Sequence, residues 1–360
     1  MIKYLVILLF AVSLGCNSPS NKNTSKKGVV FEEYFKKVKQ INLSPRIRLG
    51  EIGQIDIDNK NRILVTDRSV RQVAIFDSLG NLLKELSPEA CNPGFNWNPI
   101  SAKFNPRNGI LVLMNGPYGF WFDNNGLCIG KTLPGFNSAH RNFVFDNHGK
   151  IYATSNDFDG TYIGKYDSTA LLVGKTKLET NYSGLNSRFS TSTILYDKKM
   201  GLMSVLPFEL NVFQYGLDIS ANIKPLRVIG ISSGYFRSPS QDIKDGGQGL
   251  ETSVVAQKMM KILKESSSVI NIFKLDGDII CLIIRNGYAN KTEREIGIVV
   301  SDLNGRSLTQ KEIQTDRRGW FFYGKGKYLY RVIPPEKNPK CDSCGIPNEG
   351  LEVYELNISK

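Results

Sequence analysis

A unit of four short runs with alternating apolar residues recurs along this chain, and it constrains the fold more than any other feature. The clearest copy is Gly53 to Asp67 followed by Gln72 to Leu86, in which Ile55, Ile57, Ile63, Val65, Val73 and Ile75 mark successive runs. Alternation with a period of two is the signature of strands. The runs are separated by polar groups rich in Asp, Asn and Gly, such as Asp58-Asn59-Lys60-Asn61 and Asp77-Ser78-Leu79-Gly80. Those residues suit hairpin turns, so each unit reads as four antiparallel strands.

Later copies keep the same order. Ser101–Asn105 leads to Gly109–Met114 and Phe120–Gly126; Phe143–Ala153 leads to Tyr162–Asp167; Ile194–Asp197 leads through Gly201–Val205 to Val212–Asp218. A fifth copy joins Ile270–Asp278, Ile279–Ile284 and Gly297–Gly305, and a sixth joins Gly319–Tyr323, Lys327–Val332 and Leu351–Leu356. An acidic residue closes each third run: Asp77, Asp123, Asp167, Asp218, Asp302 and Glu355, in steps of 46, 44, 51, 84 and 53 residues. Four-stranded propeller blades repeat on this scale. The expected fold is therefore all-β, a six-bladed β-propeller of four-stranded antiparallel blades. The long step carries one loop-plus-helix insertion, about 230–268. The sixth copy supplies only three runs, so Gln40–Pro45 is expected to complete it and close the ring, since an unclosed ring would expose its edges.

Ile63-Leu64-Val65-Thr66-Asp67 with Val73-Ala74-Ile75-Phe76-Asp77-Ser78-Leu79-Gly80 resembles an NHL repeat. The chain as a whole resembles the NHL-like six-bladed propeller lipoproteins of the Bacteroidetes. The first and third copies carry the likeness and the fourth to sixth are degenerate. The resemblance implies the fold and an exported, lipid-anchored form; it transfers no site residues, because a fold does not fix a function.

The N-terminus gives an address. Lys3 precedes an apolar run from Tyr4 to Val12, short for a membrane span, which needs roughly 20 residues, and right for a secretory signal. Ser13-Leu14-Gly15-Cys16 is similar to a lipobox, although Ser13 stands where Leu is usual. Residues 1–15 are thus expected to be a lipoprotein signal peptide, Cys16 a lipidated anchor, 16–38 a disordered tether and 39–360 the propeller. Asn17 to Lys27 is too rich in Asn, Ser and Lys to bury a core. The expected location is the cell membrane or outer membrane, facing the periplasm or the exterior.

Net charge is +12, and the basic runs are no longer than two residues. Spread-out lysines keep strand edges soluble; nucleic acid is excluded as a partner, with no reading motif present. Among the cysteines, Cys341 and Cys344 read as a local loop disulfide, with two free thiols as the alternative. Cys91 and Cys128 are candidates for a second bridge, and Cys281, in an apolar run, for a buried thiol.

Chemistry is sparsely signalled. His140 and His148 are the only histidines, too few for a three-His metal site, and His148 falls in a turn. No catalytic constellation is expected. Many Asp and Asn residues raise the prospect of a channel-bound calcium ion, since hard cations take oxygen ligands. Most of them, however, occupy turn positions, Asp56–Asn61 included. Phe95, Trp97, Tyr118, Phe120 and Trp121 suit either packing between blades or the stacking of a sugar or peptide. In the insertion, Leu250 to Lys264 suits an amphipathic helix, with Val255, Met259, Ile262 and Leu263 near one face and Lys258, Lys261 and Lys264 opposite. It serves as an edge brace or as a lid. The expected function is a lipid-anchored cell-envelope binding or scaffold module for a glycan, peptide or partner protein. The alternative is a divalent-metal-dependent hydrolase or lactonase with its site in the central channel.

Overall fold

The computed structural model describes residues 31–47, 49–50, 52–107, 109–132, 142–157, 160–178, 193–220, 223–239, 252–286, 293–316, 322–333 and 350–357. They form a six-bladed β-propeller. A four-residue helix, α1 (Phe31–Tyr34), runs into β1 (Phe35–Asn42). The first blade is β2 (Ile52–Ile57), β3 (Ile63–Asp67), β4 (Gln72–Phe76) and β5 (Leu82–Glu85). The second is β6 (Pro99–Phe104), β7 (Ile110–Met114), β8 (Gly119–Phe122) and β9 (Cys128–Thr132). The third is β10 (Phe143–Phe145), β11 (Ile151–Asp157), β12 (Gly160–Tyr166) and β13 (Leu172–Lys177). The fourth is β14 (Thr193–Asp197), β15 (Gly201–Val205), β16 (Asn211–Tyr215) and β17 (Arg227–Gly230). Helix α2 (Thr252–Glu265) precedes the fifth: β18 (Ser268–Leu275), β19 (Ile279–Arg285), β20 (Glu293–Asp302) and β21 (Ser307–Asp316). The last blade is β22 (Phe322–Lys325), β23 (Tyr328–Ile333) and β24 (Gly350–Leu356), completed by β1.

Every blade is an antiparallel meander, and the six sheets do not share strands. The core is correspondingly divided into six clusters, one at each blade interface. Alternate residues of a middle strand enter opposite clusters. In β3, Ile63 and Val65 face the sixth blade while Leu64 faces the second. In β19, Ile280, Leu282 and Ile284 face the fourth blade while Cys281 and Ile283 face the sixth. A strand buried on both faces reads as a continuous apolar run, which is why Ile279–Ile284 lacks polar alternation. Outer strands have no blade beyond them, so Leu83, Ile129, Val173 and Val228 stay exposed.

The Asp-rich turns are held by their own side chains. Asp77 Oδ1 accepts the N–H groups of Leu79 (2.8 Å) and Asn81 (2.9 Å). Asp123 repeats the pattern with Asn125 and Leu127, Asp146 with His148 and Lys150, Asp167 with Thr169 and Leu171, and Asp302 with Asn304 and Arg306. This carboxylate clamp explains why Asp opens so many turns.

The ring closes as a strand exchange between the two ends of the chain, but with different residues from those expected. The closing strand is Phe35–Asn42, paired with β24 from Phe35↔Leu356 to Asn42↔Gly350. Residues 40–45 therefore contribute only their first three members, and Leu43 instead enters the core beneath the first blade. The expected tether of 16–38 is corrected at its end, because residues 31–38 are helix and strand. Phe31 and Phe35 stack with centroids 4.8 Å apart and join the core of the fifth and sixth blades. Between its buried ends β1 is exposed over Lys36–Gln40, so its sequence shows no alternation.

Helix α2 falls inside the expected insertion, which begins where β17 ends and stops where β18 starts. Ile262 is buried, whereas Lys261 and Lys264 are exposed. The segment before it is fastened to the fifth blade: the hydroxyl of buried Ser267 accepts the Arg237 N–H (2.9 Å) and lies 2.6 Å from Asn286 Oδ1. Cys91 and Cys128 form a disulfide joining the loop after β5 to the outer strand of the second blade. Cys281 is a buried free thiol, its pKa pushed up to about 12 by burial. Cys16, Cys341 and Cys344 lie outside the described residues, as do His140 and the expected signal segment, residues 1–15. No helix among the described residues is long and apolar enough to cross a membrane.

Candidate functional site: the central channel

In a meander of this kind the first strand of each blade lies innermost, and all six inner strands run in the same direction. They enclose a channel of about 760 Å³ to which every blade contributes side chains. That is within the range of small-ligand sites. The turns after β2, β6 and β14 line one end, where Asp58, Lys60, Arg107 and Asp197 gather; Arg68 and Arg285 line the other.

Register brings six positions to one level of the channel. The residues opposite Leu64, Leu111, Tyr152, Met203, Cys281 and Tyr330 are, in ring order, Asp56, Lys103, Val144, Leu195, Phe273 and Tyr323. Four of these are apolar or aromatic. The two charged ones have quite different surroundings.

Asp56 is committed to structure. Phe104 N–H of the second blade donates to its Oδ2 at 2.8 Å, and Tyr323 O–H of the sixth donates to its Oδ1 at 2.5 Å. Gln54 Oε1 likewise accepts the Ala102 N–H at 3.2 Å. Side chains of β2 thus stitch the first inner strand to the next, and Asp56 spans three blades. Burial, with the Asp56 charge second, pushes the Tyr323 phenol well above its usual range, so it stays a donor.

Lys103 is not committed. It is partly buried, and its ammonium makes no hydrogen bond or ion pair among the described residues. Burial lowers its pKa and the charge of Asp56 opposes that shift.

The remaining charges are uneven in number. Asp58 is clamped by Arg62, with Nε to Oδ2 at 2.7 Å, and also accepts the Lys60 and Arg62 N–H groups. Asp197 is paired with Lys274 at 3.3 Å and accepts the Lys199 and Met200 N–H groups. Lys325, its pKa lowered by burial, donates to the Ile57 carbonyl. Counting the lining side chains gives eight Lys or Arg against Asp56, Asp58 and Asp197. The three carboxylates are all spoken for, and no group of three His, Cys, Asp or Glu among the described residues could hold a metal ion.

The other sequence candidates are structural. His148 lies in the Asp146 turn with its Nδ1 3.3 Å from Arg107. Phe95 and Trp97 pack edge-on against Phe120, with centroids 4.9 and 5.9 Å apart. Lys131 sits 3.7 Å over the Tyr118 ring. None of these aromatic residues lines the channel, nor does any described residue of the insertion. Lys103 went unremarked in the sequence because a single Lys in Ser-Ala-Lys-Phe-Asn reads as a solvent-facing position of an alternating strand; only alignment of the six inner strands places it in the channel.

No family model matches this chain, and no curated protein does. Solved structures do match in fold. One is a member of the DUF4221 family from Bacteroides vulgatus, 12% identical, with a TM-score of 0.62 over 90% of this chain and 98% of that one. Another is a candidate exported protein from Bacteroides fragilis, also 12% identical, with a TM-score of 0.64 over 91% and 97%. At that identity the likeness is one of fold, shared over nearly the whole length of all three chains.

Proposed function

We propose that this chain is an exported, lipid-anchored binding module of the cell envelope, holding its ligand in the central channel. The observation that carries the reading is the channel itself: an open cavity of about 760 Å³, lined from all six blades, with charged groups beyond those the fold uses. The ring is the rigid frame that a preformed site requires. Cys16 would carry the lipid, and the chain up to Phe31 would serve as the tether to the membrane or outer membrane. The resemblance in fold to a candidate exported protein from Bacteroides fragilis agrees with that address. A glycan, a peptide or a projecting loop of a partner protein are the ligand classes such a channel suits.

Two measurements test the two halves. Labelling cells with a fatty-acid probe should mark the wild-type chain and not a Cys16→Ala variant; persistent labelling of the variant would end the acylation claim. For the channel, Asn147 is exposed at the rim, so Asn147→Trp narrows the mouth without touching the core. Across a glycan and peptide panel, a ligand of the wild type should bind this variant at least tenfold more weakly. Unchanged binding would move the site elsewhere.

A further inference from the structure

Resting on the channel as the binding site, we infer that its ligand is an anion, a small molecule bearing a carboxylate or phosphate that Lys103 engages. The argument is one of charge balance. A partly buried ammonium whose N–H groups find no acceptor is costly. The natural counter-charge for Lys103 is Asp56, which occupies the equivalent position on the preceding inner strand. Asp56 is held by Phe104 N–H at 2.8 Å and Tyr323 O–H at 2.5 Å, so its charge acts on Lys103 without an ion pair between them. The next inner strand offers Val144 at the same level, and Leu195 and Phe273 follow it. Among the described residues, then, the Lys103 ammonium has the charge of Asp56 near it and no acceptor for its N–H groups.

The wider lining has the same bias. Eight cationic side chains face three carboxylates, and Asp58 and Asp197 are each bound to a cation already. Lys325 uses one N–H on the Ile57 carbonyl and keeps two for a ligand. Low-dielectric walls lined by one sign of charge concentrate an oppositely charged solute. The channel volume leaves room for a body the size of a sugar acid or a short peptide around the charged group. Burial lowers the Lys103 pKa and the charge of Asp56 opposes that shift, which leaves room for a second anion beside the ammonium.

The test uses the mature chain with its lysines reductively ¹³C-methylated, which keeps the charge. Loss of one resonance in Lys103→Met assigns that side chain. Sodium phosphate and sodium acetate are titrated separately at constant ionic strength, which distinguishes the two anion chemistries. The expected result is a saturable movement of the Lys103 resonance with one or both anions, while exposed lysines stay still. Calorimetry should then show at least a tenfold loss of affinity in Lys103→Met and retention in Lys103→Arg. Equal movement of all lysines, or binding untouched in Lys103→Met, would overturn the inference. An uncharged disaccharide is the control arm. If it shifts Lys103 while the anions do not, the anion class fails and the channel reading stands; if none of the three does, both fail.

Discussion

Lys103 and Asp56 occupy the same register position on adjacent blades, yet one is used by the fold and the other is spare. That difference has a consequence for stability that can be separated from binding. Because burial lowers the Lys103 pKa below its unfolded value of 10.5, the unfolded chain holds more protons than the folded one between those two values. Stability therefore rises with pH through that window, and the penalty for a buried ammonium is fully present below it. Lys103→Met removes the penalty and fills the space with an unbranched apolar side chain. We expect the variant to be more stable at pH 7 by about 1 kcal/mol, the scale of one unsatisfied buried polar group. The gain should shrink as pH approaches 10.5. Urea melts of both chains at pH 7 and pH 10 check this, and a variant less stable at pH 7 would show that Lys103 supports the fold instead. A residue that weakens the protein and is not needed by its neighbours is what a binding site leaves behind.

Contacts between blades run through small elements as well as through the six apolar clusters. The turn between the third and fourth strands of one blade rests on the outer strand of the blade before it. Gly80, with φ +91°, would drive a Cβ to 2.4 Å from the Asn42 carbonyl oxygen on β1, and its own carbonyl accepts the Ser44 N–H at 2.9 Å. Gly305, with φ +82°, stands in the same relation to Gly230 at the end of β17. These glycines serve twice, first for a left-handed turn and then for backbone contact. Gly80→Ala should cost about 2–4 kcal/mol, combining roughly 1–2 for an L-residue at that φ with the displacement of β1. A denaturant melt shifted by less than about 1 kcal/mol would show that the turn moves aside freely. The Asp-x-x-Gly spacing of these turns was legible in the sequence because the carboxylate clamp is local. The closing strand was misplaced by five residues at its start because only Phe35 and Ile41 are buried in it, and a pattern of two buried residues in eight has no period to read. Lys103 was illegible for a related reason: its environment is made by five other strands, and no local window contains them.

At the scale of the whole molecule the propeller is a closed ring held by a non-local pair. Sequential hairpins can form each of the first five blades from neighbouring segments, whereas the sixth needs residues more than 300 positions apart. That pair runs through seven matched positions, reinforced by Lys37 Nζ to Glu352 Oε1 at 2.7 Å. Just ahead of it, α1 rests on β21, and Asn357 N–H donates to the Tyr34 carbonyl at 2.7 Å. The same segment that closes the ring therefore leads directly to the proposed anchor, so pulling on the tether loads β1 and the seam between the fifth and sixth blades. A chain beginning at residue 31 should fold as stably as one beginning at residue 16. One beginning at residue 43 should lose the outer strand of the sixth blade and uncover the edge of β24. Its apolar neighbours Phe322 and Leu356 would also lose Phe31 and Phe35 from the cluster they share. Exposed edges of this kind pair with other chains, so the shorter chain should aggregate or melt in more than one step, and light scattering with calorimetry separates the two. Adding residues 31–42 back as a free peptide should restore a single transition, because β1 reaches its place through backbone pairing and two buried aromatics. If the shorter chain melted once and at the original temperature, the ring would owe its stability to blade-on-blade packing alone, and the strand exchange would be an ornament of the fold.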